Sequence, residues 1–128
     1  MAVLSNAISN LGRTNLAYGI INMSNNSFYD YLAMGFGNGT TAASVNDTDL
    51  AGNYSYYADQ AGTYEADYKG VWEHTVNFSD IPDHIYSEAV VCKNASENVG
   101  YTLGRMVFDP ITLNLSDQLQ LTMKISFP

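Results

Sequence analysis

The C-terminal run carries the pattern that constrains this chain most. Leu119, Leu121, Met123, Ile125 and Phe127 alternate with Gln120, Thr122, Lys124 and Ser126. A period of two sorts the two sets onto opposite faces of a β-strand, whereas a helix would scatter both around its circumference. The run therefore predicts a strand with one face in a core and the other in water. The same period occurs upstream, where Trp72, His74, Val76 and Phe78 oppose Glu73, Thr75 and Asn77, and Ile81-Pro82-Asp83 ends the strand. Ile85 to Cys92 is nearly continuous in apolar residues, as in a strand buried on both faces. A polar turn over 93–100 leads to a strand from Tyr101 to Asp109, which Pro110 is expected to interrupt.

The N-terminal half is less regular. Val3, Leu4, Ile8, Leu11 and Leu16 recur at three-to-five spacing, which predicts a helix over 1–19, weakened by Gly12 and stopped by Gly19. Asn22 to Ser27 reads as a polar connector. Tyr29, Tyr31 and Ala33 alternate with Asp30, Leu32 and Met34 in a strand that runs into Gly35-Phe36-Gly37-Asn38-Gly39. Asn46-Asp47-Thr48-Asp49-Leu50 reads as a capped turn. Tyr54, Tyr56, Tyr57, Tyr64 and Tyr68 fall in a segment without clean alternation, expected to be an irregular hairpin or an exposed arm. The whole predicts one domain over 1–128, mainly β: an N-terminal helix (1–19) followed by an antiparallel β-sandwich (28–128) of jelly-roll or immunoglobulin-like type.

Composition excludes several classes of function. Five Lys and Arg against thirteen Asp and Glu give a formal charge of −8, which argues against nucleic acid as a partner. Only 14% of residues are charged, and Asn, Ser, Thr, Tyr and Gly fill the gap, so the surface is polar but largely uncharged. Such a surface suits packing against many copies. The single cysteine, Cys92, rules out an internal disulfide and a multi-Cys zinc site. The N-terminus lacks a basic, then apolar, signal-peptide pattern, and no run approaches the ~20 apolar residues of a membrane span. Synthesis in the cytoplasm with no membrane partner is the expectation.

No reactive set stands out. His74 and His84 are ten residues apart, and His74 on the Trp72–Phe78 face reads as a core or rim histidine. Cys92 ends an apolar run and reads as an inert buried thiol. Gly35-Phe36-Gly37-Asn38-Gly39 lacks the Lys-Ser/Thr and following helix of a phosphate loop, so its glycines read as sites of a sharp turn or close backbone approach. The carboxylates are scattered, with no pair singled out for acid–base work. Asp47 and Asp49 do not follow the twelve-residue calcium-loop pattern. We expect no catalytic residue, no cofactor and no metal site. Asn22, Asn25, Asn38, Asn46, Asn53, Asn77, Asn94 and Asn114 begin Asn-x-Ser/Thr triplets, which reflect the composition more than glycosylation.

Three stretches together resemble a known family. Tyr31-Leu32-Ala33-Met34-Gly35-Phe36-Gly37 followed by Asn46-Asp47-Thr48-Asp49-Leu50 is similar to the "Tyr-x-Ala-x-Gly-x-Gly … Asp-Thr-x-Leu" signature of small tailed-virus (phage-like) virion proteins, of tail-collar fibre or head-decoration type. Ile85 to Val91 resembles the family's "Ile-x-Glu-x-Gly-φ-φ" strand, where φ is apolar. Leu103-Gly104-Arg105 through Ile111, and Ser116 to Leu119, resemble its C-terminal strand pair. The chain departs from the pattern at Phe36, Asn53 and Ala89. The resemblance implies a structural role for Tyr31, Ala33, Gly35, Gly37, Asp47, Thr48, Leu50, Glu88 and Arg105.

Resemblance and composition together lead to the expectation of a non-enzymatic virion component: a capsid decoration, collar or tail-attachment (adaptor) protein working through protein–protein contacts. Its partners would be its own copies, in a trimer or ring, and major capsid, portal or tail proteins. Tyr54, Tyr56, Tyr57, Tyr64 and Tyr68 are the candidate interface, with the N-terminal helix beside them. The alternative is a carbohydrate-binding or receptor-binding module of a viral fibre, in which Tyr54, Tyr56, Tyr57 and Trp72 stack on a host surface glycan.

Overall fold

The computed structural model describes residues 3–21, 30–98 and 101–127. The connector expected over 22–27, with Asn22, Asn25 and Tyr29, lies outside the described residues. The chain forms β1 (Val3–Ile8), α1 (Asn10–Ile21), β2 (Ala33–Gly37), β3 (Ser55–Asp59), β4 (Thr63–Glu65), β5 (Lys69–Asn77), β6 (Ile85–Cys92), β7 (Thr102–Thr112) and β8 (Gln118–Ser126). A single 3-10 turn, Phe78–Asp80, follows β5. The strands make a five-stranded sheet in the order β1-β7-β6-β2-β3 and a three-stranded sheet in the order β4-β5-β8. Every pairing is antiparallel. The fold is thus the mainly β, two-sheet sandwich that the alternation predicts.

The apolar layer between the sheets follows directly from period two. Met34, Phe36, Ala89, Val91, Met106 and Phe108 come from the larger sheet, and Trp72, Val76, Leu121, Met123 and Ile125 from the smaller. β8 pairs with β5 along its whole length, Lys69 facing Ser126 and Asn77 facing Gln118, so the two clearest alternating runs zip together in register. Its buried face is the predicted one, and Leu121 is fully enclosed. Burying a side chain of that size contributes about 1.5–3 kcal/mol.

The larger sheet is buried on its other face too. Glu88, Val90, Arg105 and Val107 are all inaccessible there, and the long connection over 38–54 is bonded onto Glu88 and Arg105. This explains why β6 is nearly continuous in apolar residues. α1 adds to the cover by lying against β7, where a Cβ on Gly12 would come within 2.8 Å of the Leu103 carbonyl oxygen. Gly12 weakens the helix in isolation but permits this docking.

Four expectations are corrected. The N-terminal helix over 1–19 is a strand, β1, followed by a helix that starts at Asn10 and runs past Gly19. The free edge of β7 accepts residues 3–8 as a partner, and Ser9 then caps the helix by accepting the Gly12 N–H at 3.0 Å. The strand expected around 29–34 begins only at Ala33 and takes in Gly35-Phe36-Gly37, all of it buried. The segment 54–68 is neither an arm nor one hairpin, because β3 closes the larger sheet and β4 the smaller. Pro110 does not end β7: Tyr86 pairs with Ile111 and Glu88 with Val107, so the proline sits in a bulge where no ladder N–H is needed.

Candidate functional site

The buried ion pair of this fold centres on one carboxylate. Glu88, fully enclosed on the central strand β6, turns its side chain toward the 38–54 connection. Oε1 accepts the Arg105 Nε–H at 2.9 Å and the Ala51 N–H at 2.7 Å. Oε2 accepts the Gly39 N–H at 2.5 Å and the Gly52 N–H at 2.9 Å. A carboxylate has about four lone-pair positions, so this one is saturated. Arg105, 1% exposed on the neighbouring strand β7, also donates from Nη1 to Asp47 Oδ2 at 3.3 Å. The same Asp47 oxygen accepts the Ser44 N–H at 2.8 Å, which closes the turn read in the sequence as a cap. Thr102 Oγ1 donates to the Thr48 carbonyl, and Ser87 Oγ to that of Gly39. These contacts clamp both ends of the 38–54 connection onto the sheet.

Glycines make the clamp sterically possible. A Cβ on Gly39 would lie 2.4 Å from Glu88 Oε2, and one on Gly37 2.6 Å from the same atom. A Cβ on Gly52 would lie 2.1 Å from Asn38 Oδ1. Gly35 leaves room for the Tyr57 ring and Val90. The glycine-rich stretch therefore serves close backbone approach, as expected, and its N–H groups are occupied by a protein carboxylate.

Of the residues singled out by the resemblance, Asp47, Glu88 and Arg105 are bonded in this network, Gly37 lies against its carboxylate, and Thr48 is tied to the sheet through Thr102. Leu50 is half-buried beside it, immediately before Ala51. Ala33 and Gly35 lie in the same sheet on β2. Tyr31 stands apart, its carbonyl accepting the Trp72 Nε1–H at 3.0 Å. Sequence reasoning missed Gly52, whose signal was only its place at the end of a polar connection, and named Gly39 without its partner Glu88. It also missed Asn38, which donates to Asp83 and accepts the Tyr54 N–H.

The tyrosines divide into two groups. Tyr56 and Tyr57 are half-buried within the domain: Tyr56 stacks on Phe36 at 6.4 Å between ring centroids, and the Tyr57 hydroxyl donates to Asp49. Burial first, and then the Asp49 carboxylate, raise the Tyr57 phenol above its ordinary range. Trp72 belongs to the core. A sugar platform of Tyr54, Tyr56, Tyr57 and Trp72 is therefore not assembled. Tyr64 and Tyr68 are 77% and 72% exposed, and Tyr54 is also exposed.

The remaining reactive side chains are packed away. His74 stacks on Phe36 and pairs with Gln60 Oε1 at 3.1 Å, as a rim histidine. His84 stacks on Phe78. Burial, followed by the negative charges of Asp49 and Asp59, pushes the Cys92 thiol up to about 12, which makes thiolate chemistry unfavourable near neutrality. Among the described residues, no three His, Cys, Asp or Glu side chains gather in a metal-binding group. No described helix is long and apolar enough to cross a membrane. Comparison of the chain with family models, curated proteins and solved structures gives no match.

Proposed function

We propose that this chain is a non-enzymatic structural component of a tailed-virus particle, a capsid decoration, collar or tail-attachment protein that works through contacts with its own copies and with other virion proteins. The observation that carries this reading is the saturated clamp around Glu88. Three of the residues that carry the family resemblance, Glu88, Arg105 and Asp47, are joined there in a network that anchors a loop and leaves its carboxylate no acceptor position for a substrate. Polar chemistry that an enzyme would turn outward is used here to hold the fold. A surface of low charge supports the same reading, since it opposes close packing of copies only weakly.

In this reading the exposed Tyr54, Tyr64 and Tyr68 contribute to contacts between subunits or with neighbouring virion proteins. Mass spectrometry of purified particles from cells expressing the chain tests the proposal. The expected result is a stoichiometric copy number in the particle. Its absence from washed particles, while still abundant in the lysate, overturns the reading.

A further inference from the structure

One opening on the surface differs from the rest in its lining. A groove of about 540 Å³ lies where the approach to β2 meets the β4–β5 hairpin, and its walls include Leu32, Tyr64, Tyr68, Trp72 and Phe127. Three of the six exposed large hydrophobic side chains among the described residues, Leu32, Tyr64 and Tyr68, gather there. Its floor is kept low by Gly62 and Gly70, where a Cβ would come within 2.5 Å and 2.7 Å of the Trp72 indole. Side chains at those two positions would push into the indole.

The backbone at Tyr68 is held in place. Tyr68 has a φ of 61° and Asp67 a φ of 66° in the short connection between β4 and β5, a left-handed conformation unusual for both. The Tyr68 carbonyl accepts the Phe127 N–H at 2.9 Å, which ties this turn to the end of β8. Positive φ is what tight hairpin turns commonly require, and here it leaves the Tyr68 ring in solvent beside the groove. The rim supplies polar groups of both signs. Asp30 and Lys69 line the groove, and neither has an ion pair or side-chain hydrogen bond among the described residues. Thr63 adds an exposed hydroxyl.

We infer that this groove binds a neutral saccharide. Sugar rings present apolar C–H faces that stack on tyrosine and hydroxyl edges that need both donors and acceptors. Lys69 and Asp30 supply one of each, and their charges cancel, which suits an uncharged polyol better than an anion. The chain's net charge of −8 further disfavours acidic glycans. Sugar binding takes Tyr64 and Tyr68 out of any subunit contact and leaves Tyr54 for one, so its failure does not touch the structural place in a particle.

Trp72 is the only tryptophan, so its fluorescence reports directly on the groove. The full chain is applied to an array of neutral and acidic oligosaccharides, and the best neutral binder is then titrated against Trp72 emission. Tyr68→Gly removes the ring and suits the positive φ, and Tyr64→Ala removes the second exposed ring. Each is expected to weaken binding about tenfold or more with an unchanged melting temperature. Leu115→Ala, at an 82% exposed site outside the groove, is expected to bind like the parent. Absence of binding to every neutral glycan, binding confined to acidic ones, or neutral binding that survives both tyrosine changes would overturn the inference.

Discussion

Replacing Glu88 by Gln keeps the size of the side chain and removes its charge, which isolates what the clamp contributes. In the parent, Glu88 accepts from Arg105, Gly39, Ala51 and Gly52, with both charged partners buried. Glutamine has one acceptor oxygen, so its NH2 must face donors on one side: either Gly39 and Gly52, or Arg105 and Ala51. In the second orientation Arg105 keeps only the 3.3 Å contact to Asp47, itself partly in solvent; in the first, two backbone N–H groups lose their acceptor and Arg105 faces a neutral amide oxygen. Breaking a buried pair by removing one partner costs about 3–5 kcal/mol, because the remaining charge is left uncompensated. Domains of this size have about 5–15 kcal/mol in all, so the variant should fold with a sharply reduced midpoint in urea at unchanged slope. Hydrogen exchange adds the location: the amides of Gly39, Ala51 and Gly52 should lose protection before those of β6 and β7. Arg105→Met in the same background should cost less than it does alone, since it removes the orphaned charge. A Glu88→Gln midpoint within about 1 kcal/mol of the parent, or unchanged protection at the three amides, would refute this account of the clamp.

Three further outcomes are expected. Gly39→Ala places a Cβ 2.4 Å from Glu88 Oε2 and 2.7 Å from the Gly52 nitrogen, so it should destabilise by about 1–3 kcal/mol in thermal or urea melts; a neutral effect would mean the connection yields easily. Leu121→Ala should cost about 2–5 kcal/mol, whereas Ser126→Ala on the exposed side of the same strand should fall within about 0.5 kcal/mol. Alkali should weaken the fold: the Cys92 thiol ionises near its ordinary 9.0 in the unfolded chain but only at about 12 when folded, so the unfolded state loses its proton first and stability falls as pH rises through that window. Cys92→Ala should shallow that loss in urea melts across the window from 9.0 to about 12 that the two ionisations span, with the remainder due to buried phenols such as Tyr86, also raised to about 12 by burial and then by Asp80.

Alternation alone determined the β8–β5 half of the sandwich and the double burial of β6, because a period of two, or its absence in an apolar run, reports directly on how many faces a strand hides. The inertness of Cys92 and the rim position of His74 were legible for the same reason: neighbours in sequence already placed them at an apolar face. The resemblance picked out Glu88, Arg105, Asp47 and Gly37 without saying that they touch. Their meeting depends on contacts 17 to 58 residues apart in the chain, which no local pattern encodes. β1 was misread as helix because Val3 to Ile8 is short and ambiguous by itself, and only the open edge of β7 makes the extended form the better hydrogen-bonded one. The glycines of β2 read as a sharp turn or a close approach, and sequence could not choose, since it shows their freedom and conceals the Glu88 carboxylate and Tyr57 ring that occupy the space a side chain would need. Likewise, ten tyrosines are a composition, and the sheet pairing of β3 and β4 alone decided that Tyr56 and Tyr57 pack inward while Tyr64 and Tyr68 face water. Local sequence sets which faces a strand has, and long-range packing sets what each face meets.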